Sequence, residues 1–179
     1  MKIQNIVNCK RCDLCLNQLP LLDKIKKSDV LWVGLSAKRI DNSVIDYPLN
    51  NNTNTGKIIE KIENINPQFT YYKTNLVKCL PLDNLQKLRY PKQCEMQNCF
   101  ENLVSEIEFI HPKVVVLLGR IVANYVLKRI RNENLKVKTK FISIQHPSYI
   151  TVYKRKYEQN YVCEVANTIF QAINGDIEH

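Results

Sequence analysis

The sequence predicts an α/β protein with a central, mostly parallel sheet of four strands. Three observations lead there. Four apolar runs have strand length, segments with helical spacing lie between them, and one run is apolar on both faces. The first run is "VLWVG" from Val30 and the second "YYKTNLV" from Tyr71. The third, "VVVLLG" from Val114, has no polar alternation and reads as a strand buried in the middle of a parallel sheet. The fourth is "FISIQ" from Phe141. Helices are expected in "GKIIEKIENI" from Gly56, around Leu103, Ile107 and Ile110, in "RIVANYVLKRI" from Arg120, and through Val162, Val165, Ile169 and Ile173. "PLNNNTNTG", residues 48–56, is a polar loop ending in glycine.

The 179 residues suit one domain, 1–179, and 45% hydrophobic content is enough for a core. No apolar run reaches the length of about 18 residues needed for a membrane span. "MKIQNIVNCK" lacks the apolar stretch of a secretory leader, so the expected location is cytoplasmic, with reduced thiols. A net charge of +9 favours an anionic partner, nucleic acid above all, and Lys136 to Lys156 holds six basic residues and no acidic one. The four glycines, at 34, 56, 119 and 175, leave no GxGxxG and no GxxxxGK, which excludes dinucleotide and P-loop sites of those kinds.

Seven cysteines, at 9, 12, 15, 79, 94, 99 and 163, are an odd number and make a complete disulfide framework the wrong reading. In a reducing compartment the CxxC of Cys9 and Cys12 points to metal binding or redox chemistry. A thioredoxin-like dithiol would follow a strand and open a helix, whereas these cysteines precede the first strand.

Parallel sheets bind ligands beyond the carboxyl ends of their strands. That selects "GLSAK" after the first strand, "NLVKC" at the end of the second, "GR" after the third and "QHPSY" after the fourth. His111-Pro112 precedes the third strand and belongs to the opposite edge.

Several of these segments, with others, form an ordered set: Cys9-x-x-Cys12-x-Leu14, "WVGLSAK" from Trp32, "TNLVKC" at 74–79, "RYP" at 89–91, Glu95, "VVVLLG" and "HPS" at 146–148. Together they resemble the iron–sulfur, or family 4, uracil-DNA glycosylases. The resemblance implies a three-layer α/β/α fold. It implies a [4Fe–4S] cluster held by Cys9, Cys12, Cys79 and Cys99, with Cys94 the other candidate for the fourth ligand and zinc the other occupant suited to four thiolates. The cluster would pin an N-terminal extension, 1–28, and leave Cys15, Cys94 and Cys163 as bystanders.

The implied partner is DNA, as a single strand or as a duplex with the base extruded, and the implied reaction is hydrolysis of the N-glycosidic bond of uracil. Asn75 would read the Watson–Crick edge of the base, and His146 would stabilise the departing anion at O2. Gly34, Leu35, Ser36, Tyr47 and Leu49 would form the base pocket. Ser148, Tyr149, Lys154, Arg155 and Lys156 would meet the DNA.

The first motif departs from the family. Where family 4 has G-E-A-P-G, this chain has Gly34-Leu35-Ser36-Ala37-Lys38, and Pro48-Leu49 stands where a Pro-Phe pair supplies a stacking ring. Tyr47 is the candidate substitute ring, and Asp41 or Asp46 the candidate substitute acid. The expectation is therefore a DNA-binding relative whose uracil excision is weak or lost, kept for recognition of DNA or of a protein partner. The alternative is a working base-excision-repair glycosylase for uracil or another deaminated base, which the retention of Asn75 and His146 favours.

Overall fold

The computed structural model describes residues 5–40, 46–135 and 138–175. The strands are β1 (Val30–Ser36), β2 (Tyr71–Val77), β3 (Val114–Leu118) and β4 (Lys140–Ile144). All pair in parallel, in the order β2-β1-β3-β4. The helices are α1 (Leu14–Asn17), α2 (Asn54–Ile65), α3 (Gln93–Ile110), α4 (Arg120–Asn132), α5 (Pro147–Tyr153) and α6 (Glu158–Asn174), with a 3-10 turn at Arg155–Tyr157.

The two inner strands bury both faces, which is why their sequences are apolar without alternation. On one face Leu31, Val33, Val115 and Leu117 pack with Phe100, Leu103 and Ile107 of α3 and Val126 of α4. On the other, Val30, Trp32, Val114 and Val116 meet Ile58, Ile59 and Ile62 of α2 and Val165 and Ile169 of α6. Helices on both faces of one parallel sheet make the three-layer α/β/α architecture that the sequence leads one to expect.

The outer strands differ. β4 is only partly buried, with Lys140 and Ser143 exposed, whereas β2 is buried from Tyr72 to Val77. The N-terminal extension covers β2: the Lys73 N–H donates to Asp23 Oδ2 at 2.9 Å, and the Leu21 N–H donates to the Lys78 carbonyl at 2.9 Å. This gives an otherwise open strand edge its partners.

Two helix boundaries bear on the placement of the motifs. α3 ends in His111, whose left-handed backbone (φ 52°) closes the helix before Pro112, and this corner lies at the amino end of β3, away from the strand ends that carry the motifs. α5 was not expected from hydrophobic spacing. It forms because Pro147 occupies the first turn, His146 caps it through its side chain, and Ile150 is buried at 3% exposure. The segment 82–88 is a turn pinned by a Leu82–Leu88 bridge.

Candidate functional site

The site begins with two glycines on the inner strands. Gly34 is the register partner of Asn75 on β2, and a Cβ placed on Gly34 would stand 2.3 Å from Asn75 Oδ1 and 3.0 Å from Leu49 Cδ2. Gly119, just past β3, has φ 86°, and a Cβ there would stand 3.1 Å from His146 Cβ. Side chains are thus missing from the two inner strands where the outer strands send theirs across. Asn75 reaches over one glycine and His146 lies against the other.

A cleft of about 490 Å³ opens over this floor. Gly34, Leu35, Ser36, Tyr47, Leu49, Asn75, His146 and Ser148, all named from the sequence, line it together. Leu49 is held in the left-handed region (φ 55°), an uncommon conformation for a non-glycine residue. The Tyr47 ring has the Lys73 ammonium 5.9 Å from its centroid. Sequence reasoning did not assign Arg39, Arg89 and Tyr90 to the cleft, yet all three line it, as does Lys38 of "GLSAK". Asp46 is the acid among the described lining residues. Its Oδ1 accepts from the Tyr47 N–H at 2.8 Å and also from Asn50 Nδ2. Asp41 lies outside the described residues.

Asn75 is 3% exposed, and its backbone is held from beneath. Lys78, fully buried, donates from Nζ to the Asn75 carbonyl and to Thr74 Oγ1 (2.8 Å) and pairs with Glu106. Glu106 also accepts from Tyr72 Oη at 3.1 Å and Thr74 Oγ1 at 2.9 Å. Burial, with the Glu106 carboxylate beside it, raises the Tyr72 phenol well above its ordinary range, so it stays a donor. A lysine one residue beyond a strand reads as solvent-facing, so nothing in the sequence except its place in "NLVKC" marks this ammonium.

His146 is fixed in one tautomer. Its Nδ1 accepts from the Ser148 N–H at 3.2 Å and lies 2.7 Å from Ser148 Oγ. The neutral ring therefore carries its proton on Nε2, leaving an N–H donor. Burial, and secondarily the Lys38 charge, lower the pKa of the imidazole below its ordinary value, which keeps it neutral at pH 7.

The thiols gather on the far side of Lys78. Cys79 and Cys99 are buried, and Cys9 and Cys12 are half-buried. Cys99 Sγ accepts from the Lys78 N–H at 3.4 Å, while Asn102 Nδ2 lies 3.5 Å from Cys9 Sγ and 3.7 Å from Cys99 Sγ. Burial, then the neighbouring Cys99, Cys12, Cys15 and Cys9, push the Cys79 thiol far up. Burial also raises Cys12. Burial opposes ionisation of Cys9 as well, but the Asn102 hydrogen bond and Arg11 bring its pKa below the ordinary value. Cys94 and Cys163 are exposed, whereas Cys15, expected as a bystander, belongs to the neighbourhood and donates to the Cys12 carbonyl at 3.3 Å. Among the described residues, no three His, Cys, Asp or Glu side chains stand at metal-binding spacing. The donor chemistry suits a thiolate-held metal: Cys9, Cys12, Cys15 and Cys99 are electrostatic neighbours of Cys79, and N–H donors reach Cys9 and Cys99.

Arg89 of "RYP" forms a two-pronged pair with Glu95 (2.8 and 2.6 Å), and Glu95 accepts from the Lys92 N–H at the start of α3. Tyr149, Lys154, Arg155 and Lys156 lie outside the cleft, exposed along α5 and the turn after it. Lys136, the first residue of the basic run, is outside the described residues.

Comparison with known proteins adds four findings. The family model of the uracil DNA glycosylase superfamily matches residues 20–170. The chain is 26% identical over 178 residues to a type-4 uracil-DNA glycosylase of Archaeoglobus fulgidus, covering 89% of this chain and 85% of that one. With the Sulfurisphaera tokodaii protein of the same name it shares 26% over 168 residues, covering 86% and 67%. Among solved structures, wild-type Pedobacter heparinus SMUG2 matches with a TM-score of 0.64 at 15% identity, over 84% of this chain and 77% of that one, a likeness of fold.

Proposed function

The chain belongs to the uracil DNA glycosylase superfamily, and from that premise we propose that it is a DNA glycosylase of reduced power, excising uracil or a related deaminated base slowly. One observation carries this reading: Asn75 and a neutral His146, with its proton on Nε2, line one cleft. An extruded base entering that cleft meets the Asn75 carboxamide, which accepts from N3–H and donates to O4 of uracil. As the glycosidic bond breaks, electrons pass to the base and its O2 gains negative charge. The Nε2–H of His146 donates to that oxygen, a fixed dipole where charge develops. The sugar cation is then captured by water.

The rate is limited where the residues differ from the family. No acid follows Gly34, and both hydrogen bonds to Asp46 Oδ1 come from its own loop, which weakens it as a water-positioning base. Leu49 offers an aliphatic face in place of an aromatic ring. These same observations favour a second reading, recognition of DNA or of a protein partner without chemistry.

The domain reading extends the proposal to the whole chain, 1–179, with residues 1–28 as part of it. A [4Fe–4S] cluster held by Cys9, Cys12, Cys79 and Cys99 would fasten this extension to α3 in the reducing cytoplasm. It supplies structure, and no catalytic step passes through it. Four iron and four sulfide per chain, with none or little zinc, is the expected content. No helix among the described residues is long and apolar enough to cross a membrane.

The deciding experiment is single-turnover excision from a labelled oligonucleotide with one uracil, read by alkaline cleavage of the abasic product. Slow cleavage that disappears in an Asn75→Ala/His146→Ala variant is expected. Absence of cleavage while DNA binding persists would leave the second reading standing.

A further inference from the structure

The stretch from Pro147 to Tyr157, "PSYITVYKRKY", contains no acidic residue, three cations and three tyrosines. Its inner face is anchored: Pro147 and Ile150 are buried. Its outer face is not. Tyr149 is 40% exposed, Tyr153 73%, Tyr157 51% and Val152 65%, an apolar surface uncovered in the chain. The rings are ordered relative to one another and to the charges. The Tyr149 and Tyr153 centroids lie 5.1 Å apart, Lys154 Nζ lies 5.8 Å over Tyr149, and Lys156 Nζ lies 5.1 Å over Tyr157. The next residue, Glu158, is an acid, but it is paired with Lys61 at 2.6 Å. The segment follows His146 directly, and its Ser148 lines the cleft with that histidine.

We propose that this segment is a stacking platform for single-stranded DNA, on which Tyr153 and Tyr157 take the unpaired bases flanking the nucleotide in the cleft. The proposal rests on the glycosylase reading for its cleft and deepens it by naming the form of DNA. Charge alone would suit any polyanion, duplex included. Exposed rings are what distinguish the two forms: in a duplex the base faces are stacked on one another, whereas a single strand presents them to aromatic side chains. The cations beside the rings add contacts to the phosphates between successive bases.

The test uses DNA without uracil, so that excision plays no part. Anisotropy titrations compare a labelled 16-nucleotide single strand with a duplex of the same sequence, for the wild type and for Tyr153→Ser, Tyr157→Ser and the double variant. Single-strand preference is expected in the wild type. Each serine should weaken single-strand binding by about five- to 150-fold and leave duplex binding within about twofold. The salt slope should stay unchanged in the serine variants and become shallower in Lys154→Gln/Lys156→Gln. Equal affinity for the two forms, or tyrosine variants that weaken both equally or neither, would overturn the platform. Since the rings are exposed, unchanged thermal melting should accompany all variants. A platform without excision refutes only the glycosylase reading, excision without tyrosine dependence refutes only the platform, and absence of any DNA binding refutes both.

Discussion

Replacing Lys78 by methionine removes a cation that is fully buried and leaves the Glu106 carboxylate, also fully buried, with only the Tyr72 and Thr74 hydroxyls. Breaking a buried ion pair from one side typically costs about 3–5 kcal/mol. For a domain of this size, whose whole stability is on the order of 5–15 kcal/mol, that is a large fraction. Glu106→Leu should cost a similar amount, since it strands the ammonium. The double variant should be destabilised by less than the sum of the two, by about 2 kcal/mol or more, because no lone charge remains. It will not return to wild type, since the Asn75 carbonyl and the Tyr72 hydroxyl each lose a partner, at about 1–3 kcal/mol per group. Urea unfolding followed by Trp32 fluorescence and by circular dichroism gives all four corners of the cycle. Single variants costing under about 1 kcal/mol, or costs that simply add, would refute the idea that this pair is the buried support of Asn75.

His146 should titrate below its ordinary value of 6.5 by NMR, since burial and then Lys38 depress it. Its neutral form thus contributes stability that is full above pH 6.5 and declines as pH falls below it, and Lys38→Gln should move the midpoint upward. Gly34→Ala forces the Asn75 amide away from a Cβ at 2.3 Å. Single-turnover excision should fall by on the order of a hundredfold, with melting far less affected. Leu49→Phe restores a ring at the mouth of the cleft and should raise excision several-fold. Cys99→Ser should lose iron on purification while Cys94→Ser keeps it, measured by metal analysis.

The fold was legible because burial dictates composition. β2 spans the same residues as its apolar run, and β1, β3 and β4 shift by at most two residues at either end. α5 was illegible for an equally physical reason. "PSYITVY" is rich in β-branched and aromatic residues, which favour strands, and only the cap at His146, the proline and the burial of Ile150 make it helical. At the site, Gly34, Leu35, Ser36, Asn75, His146 and Ser148 meet in one cleft because a parallel sheet sends the residues at its strand ends to one edge. Lys78 and Glu106 escaped because their partnership spans 28 positions and neither residue type announces burial. Arg39, Arg89 and Tyr90 escaped because a loop's cations and rings look the same whether they face a cleft or water.

Asn75 lies on β2 and His146 two residues past the end of β4, at the two margins of the sheet, with β1 and β3 between them. Their backbones are thus separated by three inter-strand steps, about 14 Å at the usual spacing before twist. Up to the strand ends that gauge is set by main-chain hydrogen bonds, which side-chain substitutions leave in place. Retargeting this chain to a larger or smaller base must therefore come from the adjustable jaw, the β1–α2 loop that carries Tyr47 and Leu49, while the strands act as a fixed caliper.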